Sequence, residues 1–113
     1  MKVRIKICRL NESKDRKVQD EYKGLVVLNI RQSRGIDRTE VLGFIRAIPN
    51  VTTIRREREI STSESTYTGE FLIRIVLKHG ESIKEYIKTV LKPKIRAIDG
   101  VSLQRLKDLE KIT

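Results

Sequence analysis

The chain contains one histidine and one cysteine, the residue types that most often act as bases, nucleophiles or metal ligands. His79 stands directly before Gly80, where we expect an exposed turn at the end of a strand. Cys8 has no histidine or asparagine at a recognisable spacing, so we interpret it as a structural thiol. One cysteine excludes an internal disulfide, and one Cys with one His are too few for a zinc site. The sequence also has no phosphate-binding glycine loop and no nucleophile motif. We therefore expect a non-enzymatic protein with no cofactor and no metal.

Positive charge is the main chemical feature of the chain. Its 25 Lys and Arg residues against 15 Asp and Glu give a formal net charge of +10. We predict a binding surface made of two cationic groups: Arg55, Arg56 and Arg58, and Lys92, Lys94 and Arg96. A third group lines one face of the amino-terminal segment and would mark a strand-pairing edge: Lys2, Arg4 and Lys6.

Such cations would attract the phosphates of DNA or RNA without sequence preference. Aromatic residues make up only 4% of the chain, which argues against an RNA reader that stacks bases on its strands. The alternative is that the charge serves solubility and discourages aggregation at exposed strand edges.

The spacing of hydrophobic residues predicts five strands, the last of which starts at residues 101–103. Residues 1–8 alternate and predict a first strand, whereas 9–23 is polar and charged and predicts a loop. Residues 25–30 are apolar on both sides, as expected of a central strand. Residues 51–60 and 66–78 predict two further strands joined by a polar turn.

Two helices are predicted between these strands. Asp37 with Glu40 forms a capping box, and the apolar stripe that follows runs to Ile48. Ser82 with Glu85 forms a second capping box. Pro93 stands inside the second helical pattern, where it should kink or restart the helix.

An internal repeat sets the expected fold. Residues 45–51 read IRAIPNV and residues 95–101 read IRAIDGV, and each joins a helix to a strand. Gly100 is expected to have a positive φ at its corner. The sequence thus contains two consecutive strand-helix-strand units. Two such units predict an α+β fold of the ferredoxin-like type, an antiparallel sheet with two helices on one face. Residues 1–8 would add a further amino-terminal strand.

The layout over residues 24–106 resembles small ferredoxin-like modules such as the ACT and elongation-factor-type families. The two corner sequences, together with the basic amino-terminal segment, also resemble small structural proteins of tailed bacteriophages. An ACT-like amino-acid sensor is expected to have a glycine-bearing turn after its first strand. The turn at 33–37 contains one glycine, Gly35, which is a weak match.

We expect one domain over residues 1–113, of which 107–113 form a tail. Residues 103–112 place leucine or isoleucine at every third position, which leaves strand and short helix both open. The favoured function is a structural component of a phage virion that contacts other protein subunits through strand edges and loops. The alternatives are backbone binding to nucleic acid and a small-molecule regulatory domain. Without a signal peptide or an apolar membrane span, we expect an intracellular protein before assembly and no membrane partner.

Overall fold

The computed structural model describes residues 19–32 and 37–112. Strands and helical segments alternate along them in this order: β1 Gln19–Arg31, α1 Arg38–Arg46, β2 Val51–Thr62, β3 Thr66–Lys78, α2 Ile83–Tyr86, a π-helical turn Ile87–Leu91, α3 Lys92–Arg96 and β4 Val101–Lys111. The strands form one sheet in the order β2-β3-β1-β4, and every neighbouring pair is antiparallel. The predicted α+β class with an antiparallel sheet is confirmed. In the described ranges no helix is long and apolar enough to cross a membrane.

The hydrophobic core lies between one face of the sheet and the helical layer. Val41 and Ile45 of α1 and Ile95 of α3 are fully buried in the same cluster as the sheet residues Ile30 and Ile73. Both helical segments therefore cover the same face, and the central strands β3 and β1 supply most of the floor. The capping box of α1 is confirmed, because Asp37 accepts from the Thr39 amide at 3.1 Å and Glu40 accepts from the Asp37 amide at 3.2 Å.

The two corners predicted from the repeat have the same conformation. In each, the first strand residue donates its amide to the carbonyl three residues earlier, at 3.1 Å in the first corner and 3.2 Å in the second. Gly100 has the predicted positive φ of 81°, and Asn50 has a φ of 76° at the matching position. Both carbonyls accept a hydrogen bond from a neighbouring strand. The Asn50 carbonyl accepts from the Val76 amide at 2.9 Å, and the Gly100 carbonyl accepts from the Arg31 amide at 2.7 Å. The repeat in the sequence is therefore also a repeat in the structure.

Strand β1 begins at Gln19, inside the segment 9–23 that was predicted as a loop. Charged side chains at this end pair across strands, Glu21 with Arg74 at 2.9 Å and Lys23 with Glu110 at 3.6 Å. Charge was interpreted as a loop signal, but here it belongs to the solvent-facing side of a sheet. Residues 9–18 lie outside the described residues, as do the predicted strand 1–8, Lys2, Arg4, Lys6 and Cys8, and the Gly35 turn.

The carboxyl-terminal segment is a strand, which settles the choice left open for 103–112. Its register against β1 shifts twice, and each bulge adds one residue to β4. At the second bulge Asp108 has a positive φ of 55°. A three-residue spacing in β4 thus becomes a two-residue spacing along β1, and Leu103, Leu106 and Leu109 all lie on the helix-facing side.

The second helix is interrupted before Pro93, as predicted. Ser82 caps α2 by accepting from the Glu85 amide at 3.2 Å. Five residues then follow a π-helical path, and the Lys92 amide donates to the Ile87 carbonyl, five residues earlier instead of four. Proline has no N–H for the regular bond and its ring crowds the preceding turn, so a wider turn accommodates it and α3 starts afresh.

Candidate binding surfaces

The first surface is a stripe of cations on the broken second helix. Lys84, Lys88, Lys92 and Arg96 follow one another at intervals of four residues. With Ile87 they line one surface cavity of about 420 Å³. Because residues four apart on a helix are neighbours on its surface, the spacing explains why these side chains converge. We call these four residues the basic stripe.

A larger cleft of about 630 Å³ adjoins the basic stripe and separates it from β4. Lys92 and Arg96 form its helical wall, and residues 101–106 form its strand wall. The half-buried Ile87, Leu103 and Leu106 give this cleft an apolar floor. Strand β4 is the last in the sheet order, so its outer edge pairs with no strand among the described residues.

The basic stripe differs from most cations of the sheet in forming no ion pair, although Glu81, Glu85 and Asp99 stand close to it in sequence. Within residues 19–32 and 37–112, none of its four members forms an ion pair. Most cations of the described strands, in contrast, form ion pairs: Lys23–Glu110, Arg55–Glu57, Arg58–Glu70, Arg74–Glu21, Lys107–Glu70 and Lys111–Asp20. On the helical layer, Arg38 of α1 pairs with Glu59 of β2. Many of the cations that form no ion pair in the described chain therefore lie on the helical layer beside β4.

The two predicted cationic groups do not form one surface. Arg55, Arg56 and Arg58 lie on β2, at one edge of the sheet, whereas α3 packs on β4 at the other edge. On β2, Nε of Arg55 is 3.4 Å from Glu57, and Nε of Arg58 is 3.2 Å from Glu70. Only Arg56 of this group has no carboxylate partner in the described ranges, so the β2 group offers little free charge.

Lys94, the middle member of the predicted group Lys92, Lys94 and Arg96, does not belong to the basic stripe. Lys94 lines an apolar cleft of about 440 Å³ between the carboxyl ends of α1 and α3. The two repeated corners form its walls, with Phe44, Ala47, Ile48 and Pro49 on one side and Ala97 and Ile98 on the other. Phe44 is 52% exposed, the largest value among the big hydrophobic side chains of the described ranges. We call this surface the corner cleft.

Two members of the basic stripe, Lys84 and Lys88, were missed from the sequence. Local charge density singled out residues 92–96, where three cations stand within five positions. The signal that would have found the stripe is the four-residue period from Lys84 to Arg96, which continues through Pro93.

Buried carboxylates of the sheet are held in their charged form by cations and by hydrogen-bond donors. Lys107 and then Arg58 keep the pKa of Glu70 below its usual value, against the opposing effect of burial. His79, at the turn where it was predicted, places Nδ1 at 3.0 Å from Asp20 and is the main cause of the lowered pKa of that carboxyl. These paired groups stabilise the sheet. Within the described ranges, no cluster of three or more His, Cys, Asp or Glu side chains could hold a metal ion.

One buried hydroxyl joins the two halves of the fold. The Tyr86 hydroxyl donates to the Pro49 carbonyl at 2.6 Å, so α2 is tied to the first corner. Burial raises the pKa of Tyr86 to about 12, which keeps the hydroxyl protonated and able to donate.

Comparison of the sequence with models of known protein families and with curated proteins gives no match.

Proposed function

We propose that the protein is a non-enzymatic assembly module of ferredoxin-like topology that works through contacts with other protein subunits. Two β-α-β units, the strand order β2-β3-β1-β4 and a helical layer on one face support this topology. Folds of this kind serve many functions, so the role must be argued from the surfaces.

The corner cleft is the observation that carries the proposal. It places an exposed aromatic side chain, Phe44, beside Pro49 and Ile98 in a concave apolar surface. Aromatic side chains at the centre of a concave patch supply much of the energy of protein interfaces. Three charged residues, Glu40, Lys94 and Asp99, also line it, as in interfaces with an apolar centre and a polar border.

A second copy of the chain is the occupant that the charges favour. Glu40 belongs to the α1 wall of the corner cleft, Lys94 to the α3 wall, and Asp99 to the corner that follows α3. In a two-fold dimer each surface meets itself, so a residue of one wall can face the opposite wall of the partner. Such a dimer would bring Glu40 of each copy against Lys94 of the other and insert Phe44 between the apolar walls.

Sedimentation equilibrium over a range of protein concentrations tests this proposal. We expect reversible self-association of the wild-type chain and its loss in Phe44→Ser. Removal of a central aromatic anchor costs about 2 kcal/mol or more, and the dimer Kd should therefore rise about 30-fold or more. Ile60→Ser is the matched control, because Ile60 is a similarly exposed hydrophobic residue, 41% exposed, on β2 outside the cleft. A wild-type chain that stays monomeric at all concentrations, or equal effects of both variants, would contradict the proposal.

The phage resemblance of the corner sequences suggests a virion as the setting of this assembly. The same corners line the proposed contact surface, so the resemblance and the surface concern the same residues. Mass spectrometry of purified particles checks the setting. Recovery of the chain at a fixed stoichiometry is the expected result, and its absence from the particles would remove the virion from the proposal.

A further inference from the structure

We propose that the basic stripe binds the phosphodiester backbone of a nucleic-acid duplex. This inference goes beyond the assembly role, and it rests on a different surface. Lys94 lies at the corner cleft, whereas Lys92 and Arg96 of the same short helix line the cleft beside β4. The two proposals can therefore be tested separately.

The charge of the stripe is the first step of the argument. Like charges four residues apart on a helix repel each other and destabilise it. Within the described part of the chain none of the four stripe residues forms an ion pair. Glu81, Glu85 and Asp99 stand three residues from Lys84, Lys88 and Arg96, so they offset only part of that repulsion. All four are exposed, so their amino and guanidinium groups remain available to an external anion. An anionic ligand would relieve the repulsion and would release its counterions on binding.

The shape of the stripe favours a linear polyanion over a small anion. From Lys84 to Arg96 the helix advances about 18 Å, at about 1.5 Å per residue. One strand of a duplex carries an unbroken row of phosphates, so a stripe of this length would run beside several of them. A single phosphate ion could contact one or two of these cations, whereas a duplex strand could contact all four.

The side chains around the stripe favour contacts with the backbone and not with bases. No aromatic residue is among those that line the two cavities: Lys84, Ile87, Lys88, Lys92, Arg96 and residues 101–106. Proteins that hold single strands stack bases on aromatic side chains, and this surface has none to offer. A paired duplex, which presents its phosphates outward and keeps its bases stacked, fits the surface better and would be bound without sequence preference.

Fluorescence anisotropy with labelled DNA and RNA duplexes, measured over a series of salt concentrations, tests the inference. For the wild-type chain we expect the logarithm of the binding constant to fall with the logarithm of salt concentration with a slope of about −3 to −4, as for four neutralised phosphates. The double variants Lys84→Gln/Lys88→Gln and Lys92→Gln/Arg96→Gln should each lower affinity at least tenfold at low salt. Each should also reduce the slope by about 2, because each substituted cation leaves about one phosphate without its neutralising charge.

The control variant is Arg55→Gln/Arg56→Gln, which removes the same charge from the opposite edge of the sheet. It should keep the wild-type slope. Circular dichroism checks that every variant is folded, and Lys88→Arg/Lys92→Arg, which keeps the charge, should retain binding.

Three results would overturn the inference. These are no duplex binding by the wild-type chain, equal losses of affinity in the stripe and control variants, and binding of an acidic polypeptide but not of duplex through the same four residues. The last result would assign the stripe to an acidic protein partner. A monomeric chain that binds duplex would refute the assembly proposal alone.

Discussion

Gly69, in the middle of β3, allows a sharp test of how the core is packed. It lies on the helix-facing side, between Tyr67 and Phe71. A Cβ atom at this position would be 2.7 Å from Cε2 of Tyr67, 2.9 Å from its hydroxyl oxygen and 3.0 Å from Cε1 of Phe71. Both rings are buried, and the Arg38 guanidinium lies 4.3 Å from the centroid of the Tyr67 ring. Gly69→Ala should therefore destabilise the protein.

The size of the loss follows from two opposing effects. Carbon atoms in contact are about 3.5–4.0 Å apart, so the Tyr67 ring would have to move by nearly 1 Å. Strand β3 is hydrogen-bonded on both sides and cannot move away. Overpacking of this kind destabilises the folded protein by about 1–3 kcal/mol. Alanine also lowers the backbone entropy of the unfolded chain, which stabilises the folded protein by about 0.4–1 kcal/mol. The overpacking effect is larger, and we expect a net loss of about 1–2 kcal/mol in the free energy of unfolding.

Urea unfolding monitored by circular dichroism measures this loss. With a slope of about 2 kcal/mol per molar urea, in the middle of the usual range, the midpoint should fall by about 0.5–1 M. Gly43→Ala is the matched control, because Gly43 is an exposed position of α1 with no atom within 4 Å of the added methyl group. There the same substitution should stabilise the protein by up to about 1 kcal/mol. An unchanged midpoint for Gly69→Ala, or shifts of the same sign in both variants, would refute the packing described for β3.

Three further substitutions test the corners and the buried polar contacts. Gly100→Ala forces an L side chain into a positive φ of 81° and should lower stability by about 1 kcal/mol in thermal unfolding; an unchanged melting temperature would contradict the corner geometry. Tyr86→Phe leaves the Pro49 carbonyl without its 2.6 Å donor and should lower the free energy of unfolding in urea by about 1–2 kcal/mol. An unchanged urea midpoint would contradict this contact. Because His79 holds the pKa of Asp20 below its unfolded value of 3.8, the stabilisation from Asp20 is complete above that value and is lost as pH falls through the folded-state pKa. Asp20→Asn should therefore flatten the acid limb of stability against pH, and an identical acid limb in the variant would exclude this contribution.

The sequence predicts the elements of the fold well because hydrophobic spacing and caps are local signals. Strand β3 has the predicted bounds, and the cap at Asp37 forms as expected. The repeat correctly predicts the conformation of Gly100, although the same conformation at Asn50 was not predicted. Asparagine tolerates positive φ better than most residues, and here its side chain also donates to the Val76 carbonyl at 2.8 Å.

Features that depend on pairing across the sheet were harder to predict. The segment that forms the start of β1 is charged, and only its partners on β3 and β4 make it a strand. The leucine spacing in β4 has a period of three because of two bulges, which no local pattern reveals. The candidate surfaces were split for the same reason: Arg55 and Lys92 are both basic, but the strand order places them at opposite edges.

The π-helical turn before Pro93 has a consequence for the direction of the basic stripe. In a regular α-helix each residue rotates by about 100°, so cations four residues apart drift by about 40° per step and by about 120° over three steps. A single π turn acts as one inserted residue, so these twelve residues cover nearly the rotation of eleven, and the drift falls to about 20°. The helical defect therefore acts as a phase correction that keeps Lys84 and Arg96 on one line. Pro93, which carries no charge, would then determine the alignment of the basic stripe along the helix as much as the positions of its four cations do.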